Sequence, residues 1–330
     1  MLKSMKRLTT LFCSAALLLA VGATAQAAPL TLKMSHPQPP THVYHRAAEV
    51  LDAELQKLSN KTMKLEIYPS SLLGGEKTVI DLVQVGTVDM IVTSTPLLTN
   101  YDDNYKMFTL PFLFDNLPHL YATFDKKDVT DSLSSSLVQK KGLRPIGFWI
   151  AGPRNVVTTK PIEKLEDFKG MKIRSMQDAL LLASYSAFGA NPVPMPFPDV
   201  FTAMQAGTIH GTEASLNTYI DNRFYEVAKN VAMMDIHYFA LALCVSERSW
   251  KKLTDQQKEW LQQAAVVASA FERAEMEKEI DAIPAKLVEL KVNVTNPDKA
   301  ELKKASEKVY TDFFKEYPQV KPLVDKIRTW

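Results

Sequence analysis

The feature that most restricts the fold of this sequence is an alternation of strand and helix patterns near its beginning. Residues 30–34 and 63–67 alternate apolar and polar side chains, as half-buried strands do. A helical pattern separates them, a second one opens at Gly75, and a third strand is predicted at 88–92. Strand, helix, strand, helix, strand is typical of a parallel sheet with crossover helices, so the pattern predicts an α/β fold.

The same alternation restarts in the second half of the chain. The predicted elements there are strands at 143–149, 171–174 and 208–210 and helices at 177–188 and 199–206. No linker rich in Ser, Gly or charge separates the two units, which favours two lobes joined by short crossings. Thr254 and Gln257 form a capping box before a helical pattern that runs to about residue 290. A helix of that length, on the order of 50 Å, could brace both lobes.

The first 27 residues have the order of a secretory leader. A basic head precedes an apolar run at 11–21, and Ala25-Gln26-Ala27 is an A-x-A cleavage pattern. The run is shorter than the roughly 20 residues that a membrane-spanning helix needs. We predict cleavage after Ala27 and a periplasmic location. The remaining 303 residues carry a formal charge of −1, which offers no electrostatic footprint for nucleic acid.

The single cysteine beyond the leader and the absence of known catalytic motifs restrict the function further. Cys244 is the only cysteine beyond the leader, so no intramolecular disulfide can form, and its apolar surroundings at 239–245 favour a buried structural thiol. The sequence contains no G-x-S-x-G, Walker, G-x-G-x-x-G or H-E-x-x-H motif. We therefore predict no cofactor and no catalytic residue. A periplasmic enzyme stays an alternative, because catalytic groups can converge from distant segments.

Three histidines close together raise a different alternative. His36, His42 and His45 fall within ten residues, and the last two would share a helix face at i, i+3 and could chelate a metal. No acidic or His-rich loop follows them. The alternative function is therefore a periplasmic zinc-binding protein. His36 is also a candidate ligand contact, because it follows the carboxyl end of the first strand, where open α/β sheets bind ligands.

One arginine points to the binding of an organic acid. Arg174 ends the strand predicted at 171–174, so its side chain would project into the crevice between the lobes. A guanidinium is a planar fork that matches a carboxylate with two charge-assisted hydrogen bonds. A surface ion pair is the simpler alternative for such a residue, but the position at a strand end favours a ligand.

Six short motifs follow the predicted leader in a fixed order. They are Leu73-Gly-Gly-Glu76, Gln84-Val-Gly-Thr-Val-Asp-Met90, Leu110-Pro-Phe-Leu-Phe114, Asp167-Phe-Lys-Gly-Met-Lys-Ile-Arg174, Gly189-Ala-Asn-Pro-Val-Pro-Met195 and Phe201-Thr-Ala-Met-Gln-Ala-Gly207. In this order the chain resembles the DctP-type solute-binding proteins of TRAP (tripartite ATP-independent periplasmic) transporters, over essentially its whole mature length. The resemblance implies a periplasmic-binding-protein-like α/β fold: two lobes around a ligand cleft, a hinge, and a long helix that bridges both lobes. Lobe I is expected at 28–151 with 240–279 returning to it, and lobe II at 152–239 with 280–330 packing on it.

The resemblance also implies a function and its residues. Such proteins capture a small organic acid and deliver it to a large and a small membrane subunit. Arg174 matches the arginine that pairs with the ligand carboxylate, and Arg154 matches a second arginine that often assists. Glu76 matches an acidic residue that in many members bonds ligand hydroxyl or amine groups, which favours a sugar acid or hydroxy acid over a plain dicarboxylate. Phe197 matches a position that often packs on the ligand's carbon chain. Further candidates, in segments that line the family's cleft, are His36, Ser94, Gln177 and Tyr238.

One motif departs from the family pattern. Where the family usually reads G-x-x-D-G-x-E-N, residues 207–214 read G-T-I-H-G-T-E-A. The asparagine that commonly supports the ligand carboxylate is therefore Ala214, and the aspartate is His210. We expect Asn217, Thr212 or a water molecule to supply the lost hydrogen bond, unless the ligand's head group is held differently.

Overall fold

The computed structural model describes residues 28–330, so the predicted leader and its cleavage site lie outside the described residues. Within this part of the chain, all strands join one sheet. The strands are β1 (Leu30–Ser35), β2 (Met63–Tyr68), β3 (Met90–Ser94), β4 (Leu143–Thr158), β5 (Lys172–Ser175), β6 (Asn191–Pro194), β7 (Gly211–Ala214), β8 (Asn230–Ser246) and β9 (Asn293–Thr295).

Helices cover the faces of this sheet. They are α1 (Val43–Leu58), α2 (Glu76–Val85), α3 (Thr95–Leu98), α4 (Leu117–Phe124), α5 (Lys127–Lys141), α6 (Ala179–Ala187), α7 (Val200–Gln205), α8 (Leu216–Asp221), α9 (Glu247–Trp250), α10 (Asp255–Glu289), α11 (Lys299–Glu316) and α12 (Lys321–Ile327). The predicted alternation of strands and crossover helices is confirmed in both halves.

Two long antiparallel strands join the halves. The strand order is β2-β1-β3-β8-β4-β7-β5-β6, with β9 beside β8. β1 pairs in parallel with β2 and β3, and β5 pairs in parallel with β6 and β7. Between these groups lie β4 and β8, of 16 and 17 residues, which pair with each other along most of their length. The sheet is therefore continuous across both lobes.

The buried apolar side chains divide at the middle of the two long strands. The first cluster contains side chains of β1 to β3 and α1. It also contains the buried apolar residues of β4 up to Ala151 and those of β8 from Tyr238 onwards. The remaining clusters hold Val156 and Val157 of β4 and Ile236 of β8 together with β5 to β7. Each lobe thus has its own core, and the long strands carry the chain from one core to the other.

The C-terminal segment packs differently from our prediction that residues 280–330 lie on lobe II. Ile283 and Leu302 do pack in the cores of the second lobe. Val309, Phe313 and Val324, however, belong to the core of the first lobe. The helix α11 therefore crosses from one lobe to the other, which periodicity alone could not reveal because its buried stripe is continuous.

The crossing of β4 between the lobes is irregular. The register of its pairing with β8 shifts between Ile150 and Pro153 and again between Arg154 and Val156. Gly152, at the first of these shifts, has a φ of +74°, a backbone conformation that residues other than glycine rarely adopt. Bulges of this kind bend a strand and redirect its side chains. Here they bring Arg154 to the space between the lobes.

Two strands differ in their bounds from the sequence-based prediction. The strand predicted at 208–210 is wrong: Gly207 ends the preceding helix in the left-handed region, Thr208 bonds back to Ala203, and the strand begins at Gly211. The strand predicted at 143–149 continues to residue 158. The apolar run 239–245, in which the buried Cys244 lies, belongs to β8. A strand that is covered on both faces lacks the period-two signal.

The long helix is confirmed, with the Thr254–Gln257 capping box at its start and 35 residues from Asp255 to Glu289. It continues through Pro284. Neither this helix nor another within residues 28–330 has the length and hydropathy that a membrane span requires.

The middle of this helix carries a buried acid, and its titration should be measurable. Glu272 is fully buried, and its Oε2 accepts a hydrogen bond from the Ile150 N–H at 3.1 Å. Burial raises the pKa of this carboxyl well above its usual range. A raised pKa stabilises the fold below the unfolded value of about 4.3, and this contribution is lost as the pH rises. We expect Glu272→Gln to increase the free energy of unfolding at pH 8 and to have little effect at pH 4.

Urea titrations of both proteins at several pH values would measure this difference. A variant that is less stable than the wild type at pH 8 would contradict the expectation.

Candidate ligand-binding site

Arg174 is a buried cation on β5 with unused hydrogen-bond donors. Its Nε donates to the carbonyl oxygen of Met195 at 2.9 Å, which fixes the plane of the guanidinium. Neither Nη nitrogen has a hydrogen-bond partner among residues 28–330. Burial and the charge of Arg154 lower the pKa of Arg174 to about 10, against the opposing effect of Glu76. A cation held this way favours an anionic partner.

Glu76 lies opposite this arginine at the start of α2. Its Oε1 accepts three hydrogen bonds: from the backbone N–H of Ser94 at 2.9 Å, from Thr93 Oγ1 at 3.0 Å and from Ser94 Oγ at 3.3 Å. Burial raises the pKa of this carboxyl, although these bonds and Arg174 favour its charged form. The other oxygen, Oε2, makes no hydrogen bond within the described part of the chain and can accept one from a ligand.

Two adjoining cavities meet at these residues. The inner one has a volume of about 30 Å³ and is lined by Gln38, Tyr44, Glu76, Arg154, Arg174 and Phe197, among others. The outer one, of about 230 Å³, shares Glu76, Arg174 and Phe197 with it. Larger grooves of about 870 and 830 Å³ lie beside α11, but none of the buried arginines lines them. The cleft between the lobes is therefore the candidate site, because two buried arginines and the half-buried carboxylate of Glu76 converge there.

A second arginine is held by a network that sequence reasoning missed. Arg154 donates through Nε to Glu213 Oε1 at 3.2 Å and through Nη2 to the Glu213 carbonyl at 3.1 Å. The Tyr185 hydroxyl donates to Glu213 Oε2 at 2.9 Å, and His237 Nδ1 lies 3.4 Å from Oε1. Burial opposes ionisation of Glu213, but His237, Arg154 and Tyr185 prevail and hold its pKa at about 2. Glu213 is thus a buried carboxylate that neutralises Arg154.

Two signals pointed to Glu213: it matches the glutamate of the family pattern G-x-x-D-G-x-E-N, and it is a charged residue in a buried strand. It is the charged member of the short strand β7, whose other residues are Gly, Thr and Ala, and all four are buried. A carboxylate in such a strand needs a partner. Its partner lies on β4, which pairs with β7 in a register that the sequence does not reveal.

Comparison with known proteins identifies the family. The profile described as DctP, bacterial extracellular solute-binding protein, family 7, matches residues 34–317. The chain belongs to the DctP family. This confirms the resemblance inferred from the six motifs.

Several relatives of this DctP-family protein have assigned ligands. A solute-binding protein of Roseobacter denitrificans is 32% identical over 268 residues, 81% of each chain. The structure of that TRAP periplasmic solute-binding protein with L-galactonate has a TM-score of 0.86 at 28% identity, over 90% of this chain and 98% of the other. The 2,3-diketo-L-gulonate-binding periplasmic protein of Escherichia coli is 29% identical over 94% of both chains. A structure from Sulfurospirillum deleyianum with succinate has a TM-score of 0.86 at 28% identity, over 91% and 99% of the chains.

Three further candidates of this DctP-family protein border the cavities. Phe197 lines both, with its ring centre 5.9 Å from the Arg174 Cζ atom. Ser94 lines the inner cavity and Gln177 the outer one. Tyr238 lines neither and belongs to the apolar core of the first lobe. The ring of its neighbour Phe239 faces Arg154 instead, because successive residues of a strand point to opposite faces.

The candidates for replacing the family asparagine lie away from the cavities. Ala214 is buried and lines neither cavity. The Thr212 hydroxyl lies 3.4 Å and 3.2 Å from the carbonyl oxygens of Arg174 and Glu213, to which it can donate. Asn217 Nδ2 lies 3.2 Å from both His42 Nε2 and Met276 Sδ. In this conformation neither Thr212 nor Asn217 points at the cavities.

Each of the three clustered histidines has a ring nitrogen within hydrogen-bond distance of another histidine or of another group of the protein. His36 Nε2 lies 3.1 Å from His45 Nδ1, and burial together with His45 lowers the pKa of His36 to about 3. His42 caps α1. Among residues 28–330, no three His, Cys, Asp or Glu side chains form a group that could hold a metal ion. Nothing in the site or the relatives supports the zinc alternative.

Proposed function

We propose that this protein captures a small organic acid in the periplasm and delivers it to a TRAP-type membrane transporter. The observation that carries the proposal is Arg174, a buried guanidinium whose two Nη nitrogens have no partner within residues 28–330 and border both cavities. A carboxylate can accept a hydrogen bond from each nitrogen. The ligand's acid group is therefore proposed to bind Arg174, while Arg154, which Glu213 neutralises, lines the inner cavity beside it.

The free oxygen of Glu76 supports a ligand that carries hydroxyl groups. A carboxylate in a site for anions needs a hydrogen-bond donor from the ligand, because two unpaired negative groups would repel each other. A sugar acid or hydroxy acid supplies such a donor, and succinate does not. The relatives named for 2,3-diketo-L-gulonate and bound to L-galactonate have ligands of this class, although another relative holds succinate. Phe197 would then pack against the carbon chain.

Capture is proposed to occur by closure of the lobes. The inner cavity, at about 30 Å³, has room for about one water molecule, and the outer cavity of about 230 Å³ adjoins it at Glu76, Arg174 and Phe197. An acid of several carbons is proposed to enter through the open cleft and to occupy the space next to these three residues. Closing around the ligand removes water, and the pairing of its carboxylate with Arg174 strengthens as the effective dielectric falls. The closed surface differs from the open one, so a large and a small membrane subunit can distinguish loaded from empty protein.

A thermal-shift panel tests the proposed function. The mature protein, residues 28–330, would be heated with L-galactonate, 2,3-diketo-L-gulonate, succinate or zinc. A ligand at a hundred times its dissociation constant adds about 2.7 kcal/mol, enough to raise the melting temperature by several degrees. We expect a larger shift with the sugar acids than with succinate. A preference for succinate would contradict the role of Glu76, and a shift with zinc alone would contradict the function.

A further inference from the structure

A buried histidine joins the two lobes beside the cleft. His42 precedes α1 and caps its first turn, where Nδ1 accepts a hydrogen bond from the Tyr44 N–H at 3.2 Å. Its other ring nitrogen, Nε2, lies 3.3 Å from the Thr218 hydroxyl oxygen on α8. The helix α1 packs in the core of the first lobe and α8 in a core of the second. One imidazole therefore contacts both lobes, and both of its nitrogens are occupied.

These contacts determine the protonation state of His42. Because Nδ1 accepts a hydrogen bond, a neutral ring carries its proton on Nε2 and donates across the interface to Thr218. The Asn217 Nδ2 lies 3.2 Å from Nε2 and also donates to Met276 Sδ at 3.2 Å and Glu279 Oε2 at 3.4 Å, while its Oδ1 has no partner within the described residues. Turning the amide would place Oδ1 where it accepts from Nε2, in exchange for those two contacts. A second proton, on Nδ1, would face the Tyr44 N–H and the positive end of α1. Only the neutral ring fits this interface.

The surroundings of His42 also disfavour a positive charge. Burial, followed by the nearby His36 and Arg46, lowers the pKa of His42 well below its usual value. The acidic side chains on this side of the interface lie on α10 and α8. Glu279 of α10 is paired with Arg46 at 2.6 Å, and Asp221 ends α8. Glu275 of α10 lies 3.9 Å from the same arginine, and Tyr44 has its ring edge against the imidazole.

We propose that His42 is a positioning residue that holds α8 against α1 only while its ring is neutral, so that acidification favours the open cleft and release of the ligand. The inference rests on the proposed function. When the cleft opens, α8 moves away and the ring meets water, where a histidine titrates near pH 6.5. Each pH unit below that value should then lower ligand affinity about tenfold, because protons bind only the open form.

The experiment compares the wild type with His42→Asn by calorimetry at pH 7.5 and 5.0. Asparagine is a favoured N-cap residue and does not titrate, so the variant keeps the helix cap and loses the proton site. The probe is L-galactonate, or the panel acid that gives the largest thermal shift. Its carboxylate stays ionised at pH 5, since ordinary carboxyl groups titrate at about 3.3–4.3. We expect the ratio of the wild-type to the variant dissociation constant to rise about 30-fold on acidification.

Taking the ratio separates His42 from other groups that closure buries. Glu76, Asp178 and Asp221, whose pKa values are raised by burial, titrate in both proteins and cancel. A ratio that changes less than twofold would overturn the inference. If His42→Asn does not fold, His42→Gln takes its place in the same comparison.

A matched control is His119→Asn. His119 Nε2 lies 2.7 Å from the Ile327 carbonyl oxygen within the first lobe, and no contact joins it to the second lobe among the described residues. This variant should keep the wild-type pH profile, and a profile that changes as much as that of His42→Asn would overturn the assignment. If no acid of the panel binds at pH 7.5, the proposed function fails and this inference with it. Binding with a constant ratio overturns the role of His42 alone.

Discussion

Arg174→Ala should lower the affinity for the organic acid at least about a hundredfold. Removing one partner of a buried ion pair leaves the other charge unpaired, at a cost of roughly 3–5 kcal/mol, and each 1.4 kcal/mol is a factor of ten. Here the unpaired group would be the ligand's carboxylate, in a cavity whose other nearby cation, Arg154, is already neutralised by Glu213. Isothermal titration with the acid that stabilises the wild type would measure the loss.

The same variant should not lose stability. In the absence of ligand the Arg174 charge is buried next to Arg154, which is why its pKa falls to about 10. Removing it relieves an unfavourable burial, so the melting temperature should stay equal or rise while affinity falls. Arg144→Ala is the matched control, because that arginine pairs with Glu247 at 2.7 Å, far from the cleft, and should leave affinity unchanged. Binding by Arg174→Ala that equals the wild type would show that the carboxylate binds elsewhere.

Position along the chain was enough to find Arg174. It lies near the end of β5, a boundary with a local signal, because the alternation of apolar and polar residues stops there. Glu76, at the start of α2, was assigned to the site by the family resemblance and not by its position. The structure places both side chains around the same cavities.

The residues that were missed depend on pairing between distant strands. Glu213 and His237 come close to Arg154 only because β7 and β8 lie on either side of β4, although the three strands are far apart in the sequence. The bulge at Gly152 on β4, and the extra residues 233–236 on β8 opposite Asn155, then set which side chains of β4 face the cleft. For the same reason Tyr238 was assigned to the cleft by its segment, although its place in the strand directs it into the core. Register and bulges are tertiary properties, and no local pattern encodes them here.

Glu213→Ala should be the most destabilising substitution in the site. The variant would leave Arg154, which is 8% exposed, as an uncompensated buried charge and would also remove the acceptor of the Tyr185 hydroxyl. Breaking a buried pair in this way costs roughly 3–5 kcal/mol of the free energy of unfolding. Urea denaturation at pH 7 would measure it. Glu226→Ala is the control, because the Glu226–Arg223 pair is exposed and should contribute less than about 1 kcal/mol.

The pH dependence of this loss distinguishes a charge effect from simple loss of packing. The folded pKa of Glu213, about 2, lies below the unfolded value of about 4.3. Its contribution to stability is therefore complete above the unfolded value and disappears as the pH falls towards 2. The difference between wild type and Glu213→Ala should shrink between pH 5 and pH 3, whereas a cavity left by the side chain would cost the same at both. A constant difference would mean that Glu213 fills space, and that Arg154 is held at the cleft by the packing of β4 and Phe239 alone.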